Sequence, residues 1–340
     1  MTKKTKVSQK DSRGPTQRAA DSRSKSIAAR RARIASHNDW PSITATDAEL
    51  KFKKLLDDNP EVRVLKPYGF KNIDDNDFHR HLGMLIDGLE MLPMRPDHAF
   101  DFFFRAADEL SQLITKRTKI TDAVEALGPH VCGSLASKET WRYFTNLFSE
   151  NLPITTAKFM AQRILSAYGD PKDPIRPRAE RLFSQNRYSE IHQKFFGSRI
   201  EEGEEGLAKG ANDAGIFLKH LVGKRTAIIS ARPDDSFPLL DLKDPKNIFD
   251  EPRALSTLMS LAAFTSRNER FHGSSLSPFR SSKASLKTYA SYYFEMLFLY
   301  TLVVGLMIEL FDDCGDVDSW KDDMDDNIQR LHVIFGNSIK

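Results

Sequence analysis

The chain reads as all-α, helical through most of its length behind a disordered basic tail. Three observations support this. Apolar residues recur at three- and four-residue spacing through most of the 340 residues. Proline, glycine and small polar clusters punctuate those segments as helix breakers do. Only Thr226–Ser230 has the run expected of a short strand. With 40% hydrophobic and 29% charged residues, the chain can build a sizeable core under a solvated surface, which excludes collagen-like, mucin-like and wholly disordered classes.

The tail comes first. Residues 1–37 lack apolar periodicity, and the first 35 carry eleven Lys or Arg against Asp11 and Asp21. Too little apolar surface is present to offset the entropy of ordering such a segment, so disorder is expected. The net charge of +3 is therefore a cancellation, because nine acidic residues between Glu309 and Asp326 are opposed there by Lys321 alone. A basic tail can engage phosphates by counterion release or simply be solvated.

A helical domain is expected over 38–200. Thr46-Asp47 opens a helix through Leu56, and Phe78–Leu92 is amphipathic up to Pro93. A third helix runs from Asp97 to Leu113, with Phe100, Phe103, Phe104, Ala107 and Leu110 on one face. Shorter helices fit 137–149 and 155–168, the latter capped by Thr155 or Thr156 after Pro153. Three prolines in 171–178 mark a break, after which 178–196 reads as one basic helix, with Arg176, Arg178, Arg181, Arg187, Lys194 and Arg199 in or beside it.

The rest of the chain also reads mainly as helix. A helix from Gly203 to Val222 precedes an irregular stretch, 224–252. Asp250 or Glu251 then caps a helix with Pro252 in its first turn, where the missing N–H costs nothing. Leu255, Leu258, Met259 and Ala262 line one face of that helix, and Gly273 ends it. A polar loop leads to a long helix from Lys283 to Phe311. Its uncharged run, Met296–Ile308, falls short of the ~20 residues of a membrane span and reads as a buried central helix.

Several chemistries lack support. There is no Walker A loop, GxGxxG, HExxH or GxSxG, and no cofactor motif. His79 and His81 sit two apart on a helix, about 200° around it, too far to share a metal. Cys132 and Cys314 are too few for a disulfide framework or a four-cysteine zinc site, and fit a reducing, cytoplasmic setting. No secretory leader is apparent at the start.

One constellation remains, Arg267-Asn268-Glu269-Arg270-Phe271-His272-Gly273. Asn268 and His272, four apart, share a helix face, and Arg267 can reach the same region where the helix loosens at Gly273. An Arg–His pair suits RNA cleavage by attack of the ribose 2′-OH, which needs proton transfer and cationic help for the phosphorane but no metal. Histidine exchanges protons at cellular pH, and arginine grips phosphate oxygens with a planar fork. A second Arg-x4-His pair, Arg187/His192, lacks the asparagine and the trailing glycine and lies mid-helix. Arg270, Arg280 and Lys283 add positive charge as candidate substrate-binding residues, as does Lys287. Phe271, Phe279, Tyr289, Tyr292 and Tyr293 are near enough in sequence to stack bases or pack the bundle.

Residues 250–312 resemble the RNxxxH region of the HEPN superfamily, in which an arginine and histidine close an apolar helix, glycine follows, and a polar loop leads to a long apolar helix. The resemblance implies an up-and-down HEPN-like bundle over 203–340, catalytic roles for Arg267 and His272, a supporting role for Asn268, and a homodimer whose two motifs face each other. It further implies RNA as partner, a phage-defence or toxin setting, and an antitoxin or sensor partner. A non-catalytic scaffold binding nucleic acid or protein is the alternative, and the resemblance does not reach residues 38–200.

Overall fold

The computed structural model describes residues 15–223, 247–271 and 277–339, and among these every regular element is helical. The strand considered at Thr226–Ser230 and most of the irregular stretch 224–252 lie outside the described residues.

The described part of the basic tail forms helix α1 (Pro15–Asn38). Proline suits a first helical turn, and the Ala, Arg, Lys and Gln that follow are strong helix formers. Its far end is tied down: the Arg33 guanidinium donates to the Arg280 carbonyl at 2.7 Å, and the Thr44 N–H donates to Ser36 Oγ at 3.1 Å.

Helix α2 (Asp47–Asp57) begins as expected. Thr46 Oγ1 accepts from Glu49 N at 3.3 Å while Glu49 Oε2 accepts from Thr46 N at 2.6 Å, satisfying two orphan donors reciprocally. Helices α3 (Asn76–Glu90) and α4 (Pro96–Thr115) follow, the latter burying Phe100, Phe103, Phe104, Ala107 and Leu110. Helix α5 (Ile120–Gly133) has no counterpart in the sequence reading, because Pro129 stands inside it. Proline removes the N–H that would bond the Glu125 carbonyl. That carbonyl accepts instead from Ser256 Oγ at 3.3 Å, on a neighbouring helix. Helix α6 (Lys138–Glu150) comes next. Helix α7 (Ile154–Tyr168) starts directly after Pro153 and not at a threonine cap: Thr156 is buried, 2.5 Å from Ser291 Oγ.

The single helix expected over 178–196 is two, α8 (Ile175–Phe183) and α9 (Gln185–Phe195), broken at Ser184, whose φ of 65° leaves the right-handed helical region. After α10 (Gly203–Val222), Asp250 caps α11 (Glu251–Thr257) by accepting from Arg253 N at 3.0 Å. A π-helical turn, Leu258–Ala263, carries α11 into α12 (Phe264–Phe271). Two long helices, α13 (Leu286–Leu310) and α14 (Val317–Phe335), complete the fold.

Helix α13 is the axis, with α4 and α14 against it, α3 outside α4, α10 against α7, and α11 against α5 and α6. It is apolar around its whole circumference, as a central helix must be. By length and composition it could cross a membrane, yet 83% of its most apolar 18-residue window is buried inside the protein. One hydrophobic core runs from Ala48 to Ile339 and joins the segments assigned to the two halves: Phe103 meets Tyr300 at 5.4 Å, and Phe144 stacks on Phe298 at 5.5 Å. The acidic segment turns its charges outward. Trp320, Met324, Ile328 and Leu331 of α14 are buried while Asp322 and Asp325 stay exposed, and Asp316 caps the helix.

Helices α5 and α11 touch at Gly128, where a Cβ would lie 2.1 Å from the Pro252 carbonyl oxygen. Neither backbone can yield without moving its helix. Gly128→Ala is therefore expected to cost about 2–3 kcal/mol, read as a lower midpoint in chemical denaturation. An unchanged midpoint would mean that the two helices are not held this closely.

Candidate functional site

The site is built on the α11–π–α12 segment. Leu255, Leu258, Met259 and Ala262 are all buried and anchor it. Thr257 Oγ1 donates to the Arg253 carbonyl at 2.7 Å before the π turn, and Thr265 Oγ1 donates to the Ser260 carbonyl at 3.1 Å after it. A π turn holds one residue more than an α turn, so faces drawn at regular helical spacing across 250–272 go out of phase beyond Ala263. Relations within α12 are unaffected.

The three charged residues of Arg267–Arg270 have different fates. Arg270 is nearly buried and forks onto Asp101, with Nε to Oδ1 at 3.2 Å and Nη2 to Oδ2 at 2.5 Å, while Nη1 lies 3.2 Å from Asp97 Oδ2. Asp97, 1% exposed, also receives Arg95 at 2.9 Å. Burial works against ionising Asp97, but the Arg95 hydrogen bond and the charges of Arg95 and Arg270 outweigh it and hold the carboxyl below its ordinary range. For Asp101 burial prevails and the carboxyl is pushed up. Glu269 lies 2.6 Å from Arg163 of α7, and burial raises its carboxyl.

Arg267 is arranged otherwise. Among the described residues no carboxylate pairs with it; its Nη1 donates to Asn268 Oδ1 at 3.1 Å, and its guanidinium lies over the rings of Phe271, at 4.3 Å, and Phe104, at 5.9 Å. The two rings and the neighbouring amide hold the fork in place, and Asp108 of α4 acts on its charge without an ion pair. Phe271 is 64% exposed, which marks this end of α12 as open. His272 and Gly273 lie outside the described residues.

The structure distributes the remaining candidates differently from the sequence reading. Arg270, expected to meet substrate, is committed to Asp97 and Asp101. Arg280 secures α1: its carbonyl accepts from Arg33, and its guanidinium lies 3.5 Å from Ser36 Oγ and 3.9 Å from Glu49. Lys283 and Lys287 are exposed. Phe279 stacks on Tyr289 at 4.0 Å and Tyr289 on Phe52 at 4.2 Å, so these rings belong to the core, as does buried Tyr293. The basic stretch 176–199 is largely neutralised: Arg176 pairs with Glu180 at 3.0 Å, Arg199 with Asp213 at 2.9 Å, and Arg181 with Glu125. Arg187 bonds Asn247, and His192 stacks on Tyr168 at 4.0 Å.

One residue was invisible in the sequence. Glu295 of α13 is buried beneath α12, where Oε2 has no hydrogen-bond partner. Burial pushes its carboxyl up to about 7, against the opposing influence of Ser266, Arg270 and Thr156. A carboxyl group in a run of aromatic and aliphatic residues gives no local sign of what surrounds it.

Elsewhere, His79 is exposed and its Nε2 donates to the Ile73 carbonyl oxygen at 2.9 Å, while His81 is fully buried with Nδ1 2.7 Å from the Asp77 carbonyl oxygen, so the two rings do diverge. Among the described residues no three His, Cys, Asp or Glu side chains converge as metal ligands. Cys132 and Cys314 are free and buried, and burial pushes both thiols up to about 11.

Comparison of the chain with family models, with curated proteins and with solved structures returned no match.

Proposed function

We propose that this chain is a metal-independent endoribonuclease of HEPN type, acting as a homodimer with Arg267 and His272 as its catalytic pair. The observation that carries this reading is Arg267: at the open end of α12 its ring-supported guanidinium forms no ion pair among the described residues, whereas Arg270 and Glu269 are consumed by neighbouring helices. An arginine placed so has its fork available to the non-bridging oxygens of a phosphodiester. In the reaction the 2′-oxygen attacks the adjacent phosphorus and its proton passes to one imidazole. The P–O5′ bond breaks, and the 5′-oxygen takes a proton from the second imidazole, which the other protomer supplies. The products are a 2′,3′-cyclic phosphate and a 5′-hydroxyl. Asn268 orients Arg267 through their hydrogen bond. A phage-defence or toxin setting follows from the resemblance to HEPN proteins.

The test uses purified protein and a single-stranded RNA in the presence of EDTA, beside His272→Ala. Cleavage by the parent protein that EDTA leaves intact and His272→Ala abolishes is the expected result, with unchanged helicity and oligomeric state. Equal cleavage by both proteins would sink the assignment. Tight, salt-sensitive RNA binding without cleavage would instead favour a nucleic-acid-binding scaffold.

A further inference from the structure

A second polar site lies on the other half of the same helical segment. Between α5, α8 and α11 is a cleft of about 290 Å³ whose lining includes Arg178, Arg181, Arg253, Ser256 and Ser260. Its acids are engaged: Glu125 pairs with Arg181, and Asp250 accepts the Arg253 N–H as the cap of α11. Arg178 feels the charges of Glu125 and Asp173, but its hydrogen bonding is incomplete. It is only 7% exposed, its Nη1 has no hydrogen-bond partner, and its guanidinium carbon lies over the Phe264 ring at 4.1 Å. A buried cation with an unsatisfied N–H costs folding free energy unless something answers it. The remaining lining indicates what would do so. Arg253 is exposed at the rim and Ser260 lines the wall from the π turn, while the Ser256 hydroxyl is spent on the Glu125 carbonyl. Arginine forks suit a tetrahedral oxyanion.

We propose that this cleft binds a phosphate group carried on a single nucleoside, either free or as the phosphorylated end of an RNA strand. The volume holds a phosphate with its sugar and excludes a duplex. The site stands independently of the cleavage reading, since it shares no residue with the Arg267 end. The two are nonetheless joined by packing: Phe264, under Arg178, meets Phe104 at 6.1 Å, and Arg267 lies over Phe104.

Calorimetric titration of the full-length protein tests the proposal with four probes: inorganic phosphate, a nucleoside 5′-monophosphate, the same nucleoside without phosphate, and a short oligoribonucleotide with or without a 5′-phosphate. The nucleoside monophosphate is expected to bind one per chain and the bare nucleoside not to bind. Arg178→Met, which retains the apolar stem over Phe264, and Arg253→Gln at the rim are each expected to weaken binding at least tenfold. Should Arg178→Met fail to fold, Arg253→Gln decides. A strong preference for the 5′-phosphorylated oligonucleotide over the mononucleotide would assign the phosphate to an RNA end; the reverse, to a free nucleotide. Binding that persists in His272→Ala separates this site from the cleavage reaction. The proposal is overturned if no phosphate-bearing probe binds, or if binding is equal in the parent protein and the foldable variants.

Discussion

Arg267→Lys should reduce RNA cleavage by about 10²–10³-fold in kcat while leaving the melting temperature nearly unchanged, the loss typical of removing one donor aimed at a developing oxyanion. Lysine keeps the charge but loses the planar fork and its stacking on Phe271 and Phe104. The stability side follows because Arg267 forms no ion pair among the described residues, and the lysine keeps the positive charge that half-buried Asp108 feels. Arg270→Lys is the informative partner. It breaks the fork onto Asp101 and weakens the contact with Asp97, so its effect should fall on folding. Measuring kcat, KM and thermal midpoint for both variants checks the assignment. If Arg267→Lys lowers the midpoint as far as Arg270→Lys does, or leaves cleavage intact, Arg267 is a structural residue.

Glu295→Gln should flatten the pH dependence of stability between about pH 4.5 and 7. In the folded protein Glu295 titrates at about 7, raised from 4.5 mainly by burial. Between those two values the folded state holds a proton that the unfolded state has released, so stability falls as pH rises through the window. The full difference corresponds to about 3 kcal/mol for this fully enclosed group. Glutamine does not ionise, and the hydroxyls of Ser266 and Thr156 can hydrogen-bond its amide. The variant should therefore match the parent protein near pH 4.5 and exceed its stability at pH 8. Urea midpoints at the two pH values measure this, and a difference that stays constant with pH would disprove the buried titration. Subtracting variant from parent removes the other groups that titrate in the window, including His98 and His192, both lowered by burial.

The elements that were legible in the sequence are those specified by neighbours in the chain. The helix start at Thr46-Asp47, the cap at Asp250 before Pro252, and the phenylalanine face of α4 each rest on residues within one or two turns. The opposite holds where a distant partner overrides a local rule. Pro129 argues against a helix until the Ser256 hydroxyl donates to the Glu125 carbonyl it frees. Nothing in 178–196 announces the break at Ser184, and the π turn at Leu258–Ala263 has no sequence mark of its own. Helix α1 lacks an apolar stripe, yet its last turns are secured by contacts with Arg280 and Thr44 that lie outside its own sequence.

The candidate site divides along the same line. Arg267, Asn268 and His272 could be picked out because residue type and spacing on one helix are local properties, and so could the helical class of the whole chain. Which charges stay available could not, because the acids that settle it come from elsewhere: Asp97 and Asp101 lie some 170 positions before Arg270, and Glu125 more than 50 before Arg181. Helix periodicity is imposed by hydrogen bonds four residues apart, and sequence displays it directly. Charge compensation and desolvation are imposed by whichever helices pack together. That packing consumes Arg270, buries Glu295 and Arg178, and leaves Arg267 open.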